Sequence, residues 1–183
     1  MTGPGPHGSS STAASEPGPV AEVPPAGRPG SAGGTRTADA AVAGRTLLSG
    51  LLLGLGVAAF VDETVFHQLL HWHHFYDRST PAAGLVSDGV FHAASWFATV
   101  AAIFLLVDVR RRGPVPVRRW WGGLLLAAGA FQLYDGTVQH KVFDLHEIRY
   151  GVDLRPYDWA WNVIAVLLLL AGAALLARSR RAR

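Results

Sequence analysis

Four apolar runs follow one another along the chain after Arg45: about residues 46–70, 88–107, 120–140 and 159–177. Each is close to the roughly 20 residues a helix needs to cross a hydrocarbon core about 30 Å thick. Backbone that faces lipid has to satisfy its own hydrogen bonds, so the pattern predicts helices and excludes open strands. The expected fold is therefore an all-α integral membrane protein with four transmembrane helices. Ahead of them, residues 1–44 are rich in Gly, Pro, Ser, Thr and Ala and hold no aromatic residue. Such a segment cannot bury enough apolar surface to offset the entropy of ordering. It reads as a disordered cytoplasmic tail, and residues 45–183 read as the membrane domain.

The polar residues inside these runs repeat. A shift of 73 positions lays Gly50-Leu-Leu-Leu-Gly-Leu-Gly56 on Gly123-Leu-Leu-Leu-Ala-Ala-Gly129. The same shift carries Asp62 onto Asp135, Thr64 onto Thr137, Val65 onto Val138, His67 onto His140 and His73 onto His146. Both odd-numbered runs thus end in Asp-x-Thr-Val-x-His-x5-His. The even runs match less closely and at a shift of 70, which pairs Asp88 with Asp158 and His92 with Asn162. The pattern predicts two tandem hairpins in the same membrane orientation, related by an axis along the membrane normal. At about 1.5 Å per residue, Asp62 lies roughly 25 Å above Arg45 and Asp135 roughly 24 Å above Arg119. Matching polar residues then share one depth.

Charge sets the orientation. Arg110, Arg111, Arg112, Arg118 and Arg119 separate the second and third runs, and Arg178, Arg180, Arg181 and Arg183 follow the fourth. The opposite loops carry Arg78 and then Lys141, Arg149 and Arg155. By the positive-inside rule both termini face the cytoplasm of a plasma-membrane protein, and the histidine-rich ends face outward. These arginines set topology and touch anionic lipid, so the formal charge of +3 does not point to nucleic acid. The tryptophans near the run ends read as interfacial anchors. The tail offers no basic region followed by a short apolar stretch, so no cleaved signal peptide is expected.

Candidate chemistry follows from what is left. Without cysteine, and with the initiator as the single methionine, soft sulfur ligation is excluded, and imidazole and carboxylate remain as metal ligands. Glu63, His67, His71 and His74 are spaced to share one face of an α-helix, with Gly136, His140, Asp144 and Glu147 as the matching stripe. The candidate ligands are His67, His140, His92, Asp62, Asp135, His71 and His74. Glu63, Asp88, Thr64, Thr137 and Asn162 are candidates to orient them through hydrogen bonds. His73 reads as a solvated interfacial histidine, and Gln132 and Asn162 as polar glue between helices. A carboxylate inside a membrane is a functional residue by default. The ligand set suits zinc, cupric copper or iron. Paired axial ligation of haem by His67 and His140 is a less favoured alternative. Gly50, Gly54, Gly56, Gly122, Gly123 and Gly129 predict close helix packing.

The blocks Gly-Val-Ala-Ala-Phe-Val-Asp-Glu-Thr-Val-Phe-His-Gln-Leu-Leu-His-Trp-His-His (56–74), Ser-Asp-Gly-Val-Phe-His (87–92) and Asp-Gly-Thr-Val-Gln-His-Lys-Val-Phe-Asp-Leu-His-Glu-Ile-Arg (135–149) carry a family resemblance. Residues 50–177 resemble a family of predicted bacterial membrane proteins, domain of unknown function 2243. The resemblance implies a four-helix membrane fold and lends no catalytic residues. The histidine boxes of membrane di-iron hydroxylases are only superficially similar, because the spacing differs and the second half offers only His140 and His146. No nucleophile with a base partner, phosphate loop or nucleotide motif is present. The reading that results is a membrane protein with a His/Asp metal site near its outer face, serving metal handling or membrane redox support. The alternatives are a structural or interaction protein without cofactor and a haem-binding electron carrier. The lipid bilayer is its expected partner, with a homo-oligomer or membrane-protein partner as a further expectation.

Overall fold

The computed structural model describes residues 1–3, 5 and 31–181, and these are helical throughout their ordered elements, with no strand. Helix α1 spans Ser31–Asp62 and continues into a π-helical segment, Glu63–Leu69; α2 spans Pro81–Arg112; α3 spans Val117–Tyr134 and continues into a second π-helical segment, Asp135–Val142; α4 spans Arg155–Arg181. Residues 4 and 6–30 of the expected tail lie outside the described residues. From Ser31 the chain is already helical, ahead of the boundary expected at Arg45. The Ala-Asp-Ala-Ala-Val-Ala stretch at 38–43 has high helix propensity and extends the first run backwards without needing large apolar side chains.

Local signals account for the other boundaries. Thr80 caps α2, its side chain accepting from the Ala83 amide at 3.3 Å, and Pro81 occupies the first helical position where its missing N–H costs nothing. Gly113, at φ 150°, ends α2 in a conformation open only to glycine, and Pro114 and Pro116 keep the chain extended until α3 begins.

Among the described residues, three stretches are long and apolar enough to cross a membrane: Arg36–Leu69, Pro81–Arg112 and Arg155–Arg181. The third helix is less apolar, because Arg118, Arg119, Gln132 and Asp135 interrupt it. The distribution of side chains is that of a membrane protein. Phe97, Phe104, Trp159 and Leu167 point outward, while the buried apolar residues are few and mostly small: Ala43, Ala59, Ala102, Val109, Ile148 and Ala165. The larger buried side chains are His67, His140, His146 and Glu63. In water this arrangement would waste the hydrophobic driving force; in lipid the apolar exterior costs nothing.

The helices α1 and α3 form a central pair, α2 packs on α1, and α4 packs on α3. Small residues let the backbones meet, as the glycine pattern predicts. A Cβ at Gly50 or Gly54 would collide with the carbonyl oxygens of Trp120 and Leu124 in α3, and one at Gly129 would lie 2.7 Å from the Ala165 carbonyl of α4. Polar bonds add to the packing. Ser49 donates to the Ala102 carbonyl at 2.8 Å and accepts from the Trp120 indole at 3.2 Å. Gln132 and Trp161 exchange bonds, each donating to the other's carbonyl, so Gln132 joins helices as expected. Asn162 does not; its amide donates within α4, to the Asp158 carbonyl.

Candidate metal centre

Asp62 and His67 are five residues apart, as are Asp135 and His140. In an α-helix at about 100° per residue, that spacing would turn the two side chains well away from each other. The π-helical segments, with their wider i to i+5 turn, bring each pair back to one face. His67 Nε2 lies 3.7 Å from Asp62 Oδ2, and His140 Nε2 lies 3.2 Å from Asp135 Oδ2.

The helix then stops and the chain turns back, which corrects the expected histidine face. Leu70 and Phe143 close the last turns on Val65 and Val138, and Trp72 and Leu145 donate to the Phe66 and Gln139 carbonyls. Between them His71 and Asp144 adopt left-handed conformations, at φ 50° and 51°. That reversal throws His71 out to the surface and takes Asp144 and His74 off the helical stripe. It also tucks His73 and His146 beneath the helix ends, where both are buried, 5% and 1% exposed. Neither was singled out as a ligand from sequence, and His73 was expected in solvent. The one signal for them was their match at the 73-residue shift.

Four imidazoles therefore pack together. Ring centroids are 4.5 Å apart for His67 and His73, 4.5 Å for the stacked pair His73 and His146, and 4.6 Å for His140 and His146. Three have one ring nitrogen fixed from behind. His73 Nδ1 donates to the Ile148 carbonyl at 2.9 Å and His146 Nδ1 to the Phe75 carbonyl at 3.0 Å. His67 Nδ1 lies 2.8 Å from Glu63 Oε2 and 3.1 Å from Asp88 Oδ1. A proton held on Nδ1 leaves the lone pair on Nε2. Among the described residues the Nε2 atoms of His67 and His73 and Asp62 Oδ1 have no hydrogen-bond partner, while Asp135 lies between His140 Nε2 at 3.2 Å and His146 Nε2 at 3.6 Å. Burial, then the potential of His146 and His67, pushes the His73 imidazole far down, to about 2, which keeps it neutral.

Asp62, His67 and His73 form one group whose ligand atoms lie within 4.8 Å of one another, and His73, His140 and His146 form another; Glu63, His67 and Asp88 form a third. Among the described residues no lysine or arginine pairs with Asp62, Glu63, Asp88 or Asp135. A set of buried carboxylates without a fixed cation is costly.

The remaining candidates fall around this cluster. Asp88, from α2, also accepts from His74 Nδ1 at 2.6 Å and from the Phe75 amide at 2.7 Å, so it ties the returning loop to the site. His74 is thus held at the edge by Asp88. His92 stands apart, its ring 5.4 Å from Phe60. Thr137 donates to the Leu133 carbonyl rather than to Asp135, and the Thr64 hydroxyl has no partner. Asp158, the counterpart of Asp88, pairs with Lys141 at 2.8 Å and leaves His140 Nδ1 unbonded.

An all-helical chain that turns its large apolar side chains outward and gathers histidines and carboxylates inside is an integral membrane protein built around a polar cluster. The chain belongs to the family described as predicted membrane protein, DUF2243, whose model matches residues 49–179. Neither a curated protein nor a solved structure matches it.

Proposed function

We propose that this is a plasma-membrane metal protein in which two tandem hairpins hold a divalent transition-metal ion, zinc, cupric copper or iron, near the outer face. The ligands are drawn from Asp62, His67, His73, Asp135, His140 and His146. The observation that carries this reading is the convergence of imidazole Nε2 and carboxylate atoms in one buried cluster, in which His67 Nε2, His73 Nε2 and Asp62 Oδ1 are unpartnered and three of the four rings are anchored from behind. Buried polar atoms are normally bonded, and an imidazole whose Nδ1–H is committed to an oxygen is a metal ligand ready to bind. Imidazole with carboxylate suits borderline divalent ions. The rings pack on one another too closely to leave a slot for a macrocycle, which favours a bare ion over haem.

The two-copy reading is supported by bonds that recur at the 73-residue shift, including the exchange in which His73 reaches Ile148 and His146 reaches Phe75. In this reading α3 also crosses the bilayer, since it lies between α1 and α4, and both termini are cytoplasmic. The role that fits is metal handling or support of membrane redox chemistry.

Elemental analysis of detergent-purified protein tests the reading. About one equivalent or more of bound metal is expected, with the strong visible bands of tetrahedral coordination when cobalt replaces it. Protein that stays metal-free after separate exposure to zinc, copper and iron would overturn it. A finer outcome concerns Asp88, which anchors His67 without belonging to the six ligands. Asp88→Asn is expected to weaken metal binding about 10-fold to 100-fold, the usual cost of losing a partner behind a ligand, with stoichiometry at saturation unchanged. A competition titration against a chelator reads this directly.

A further inference from the structure

A cavity of about 520 Å³ opens between α1, α3 and α4, on the surface that lipid covers, and runs to Asp62. Its walls are almost wholly apolar, with Phe66, Trp72 and Trp161 among them. At its inner end Asp62 is 4% exposed, and its Oδ1 has no partner.

The other side of the central helix pair has a hollow as well, and the two differ where it matters. Ala128 and Val61, which line the first cavity, correspond at the 73-residue shift to Leu55 and Tyr134, which line the second. Larger side chains there leave Asp135 outside the lining of the second hollow. The first hollow reaches its aspartate from the membrane side, and the second is closed off short of its own.

We propose that the open cavity binds a membrane quinol, with a hydroxyl donating to Asp62 and the tail lying along the apolar groove. Three features select this occupant. An unpartnered carboxylate oxygen demands a donor, and with Glu63 beside it in sequence and Asp135 in the same cluster it repels an anionic head group. Phe66, Trp72 and Trp161 line the cavity and give a flat ring aromatic surface to pack against. The groove is reached from lipid, past the half-exposed Val61 and Ile164, so the ligand carries a tail. The proposal rests on the metal reading only in sharing Asp62, and it names the class of molecule that meets that site.

The test uses the full chain in lipid nanodiscs and decylubiquinol as probe, with binding read by quenching of tryptophan fluorescence. Saturable binding is expected, and the quinol dimethyl ether, which lacks hydroxyl donors, is expected to bind about tenfold more weakly. Ala128→Leu, which copies the closed side, is expected to weaken quinol binding by about tenfold or more while leaving metal content unchanged. Equal binding of quinol and ether would show an apolar chain site only and overturn the proposal, as would undiminished binding by folded Ala128→Leu protein. Metal is measured in the same samples. Donor-dependent quinol binding by protein that takes up no metal would uphold this inference and remove the metal reading; bound metal without saturable quinol binding would remove this inference alone.

Discussion

The His73→Ala/His146→Ala protein is expected to carry only background metal, its affinity reduced more than about 100-fold, beyond the range for losing a partner behind a ligand. His73 belongs to both of the histidine-rich ligand groups, one with Asp62 and His67 and the other with His140 and His146. Removing both returning histidines leaves each half with a single aspartate and a single histidine. His71→Ala is the matched control. It changes a histidine two positions away in the same loop, yet one that is exposed and outside every ligand group. Elemental analysis after purification, with a thermal melt on the same samples, separates the cases. Loss of metal in folded double variant with full occupancy in His71→Ala is the expected result. Equal retention in both variants would remove the loop histidines from the site.

That contrast between His71 and His73 also shows what the chain discloses before it is folded. The membrane helices were legible because apolar runs of spanning length have few alternative uses, and α2 and α4 contain the expected runs entirely. Asp62, His67, Asp135 and His140 were legible because they recur at one shift. The returning loops were not. Continuing an α-helix past Leu69 places Glu63, His67, His71 and His74 in a row, and nothing in the spacing announces a wider turn followed by a left-handed residue. Glycine commonly marks such a reversal; here His71 and Asp144 occupy it, both residue types that tolerate the conformation better than most. The bond of Thr137 was equally hidden, since a hydroxyl in a helix has the carbonyl one turn back within reach, here that of Leu133.

The cluster also explains why the central pair α1 and α3 must be held so closely. Each hairpin brings one aspartate and one histidine from its helix and one histidine from its loop. The loop histidines are then anchored across the pair, His73 on Ile148 and His146 on Phe75. Neither half can hold its own ring orientation alone. Any change that separates α1 from α3 pulls these cross-anchors apart, several turns away from where the change is made.

Gly50→Ala/Gly54→Ala tests that dependence and is expected to destabilise the protein by about 2–6 kcal/mol, from roughly 1–3 kcal/mol per overpacked position. Both new methyl groups would strike backbone, the Trp120 and Leu124 carbonyl oxygens, which cannot rotate aside as a side chain end does. In a membrane, small residues at helix crossings supply much of the association energy, since lipid gives apolar faces no reason to pair. The helices must therefore move apart. Gly44→Ala/Gly89→Ala makes the same chemical change at two helical glycines whose added Cβ would meet nothing within 4 Å. Alanine is the better helix former by about 1 kcal/mol, so this control should be neutral or slightly stabilising. Thermal melts in one detergent, with metal content alongside, read the difference. A lower melting temperature and reduced metal for the Gly50/Gly54 pair alone would tie the site to the close crossing. Indistinguishable melts for the two pairs would mean that α1 and α3 do not depend on backbone contact to hold the cluster together.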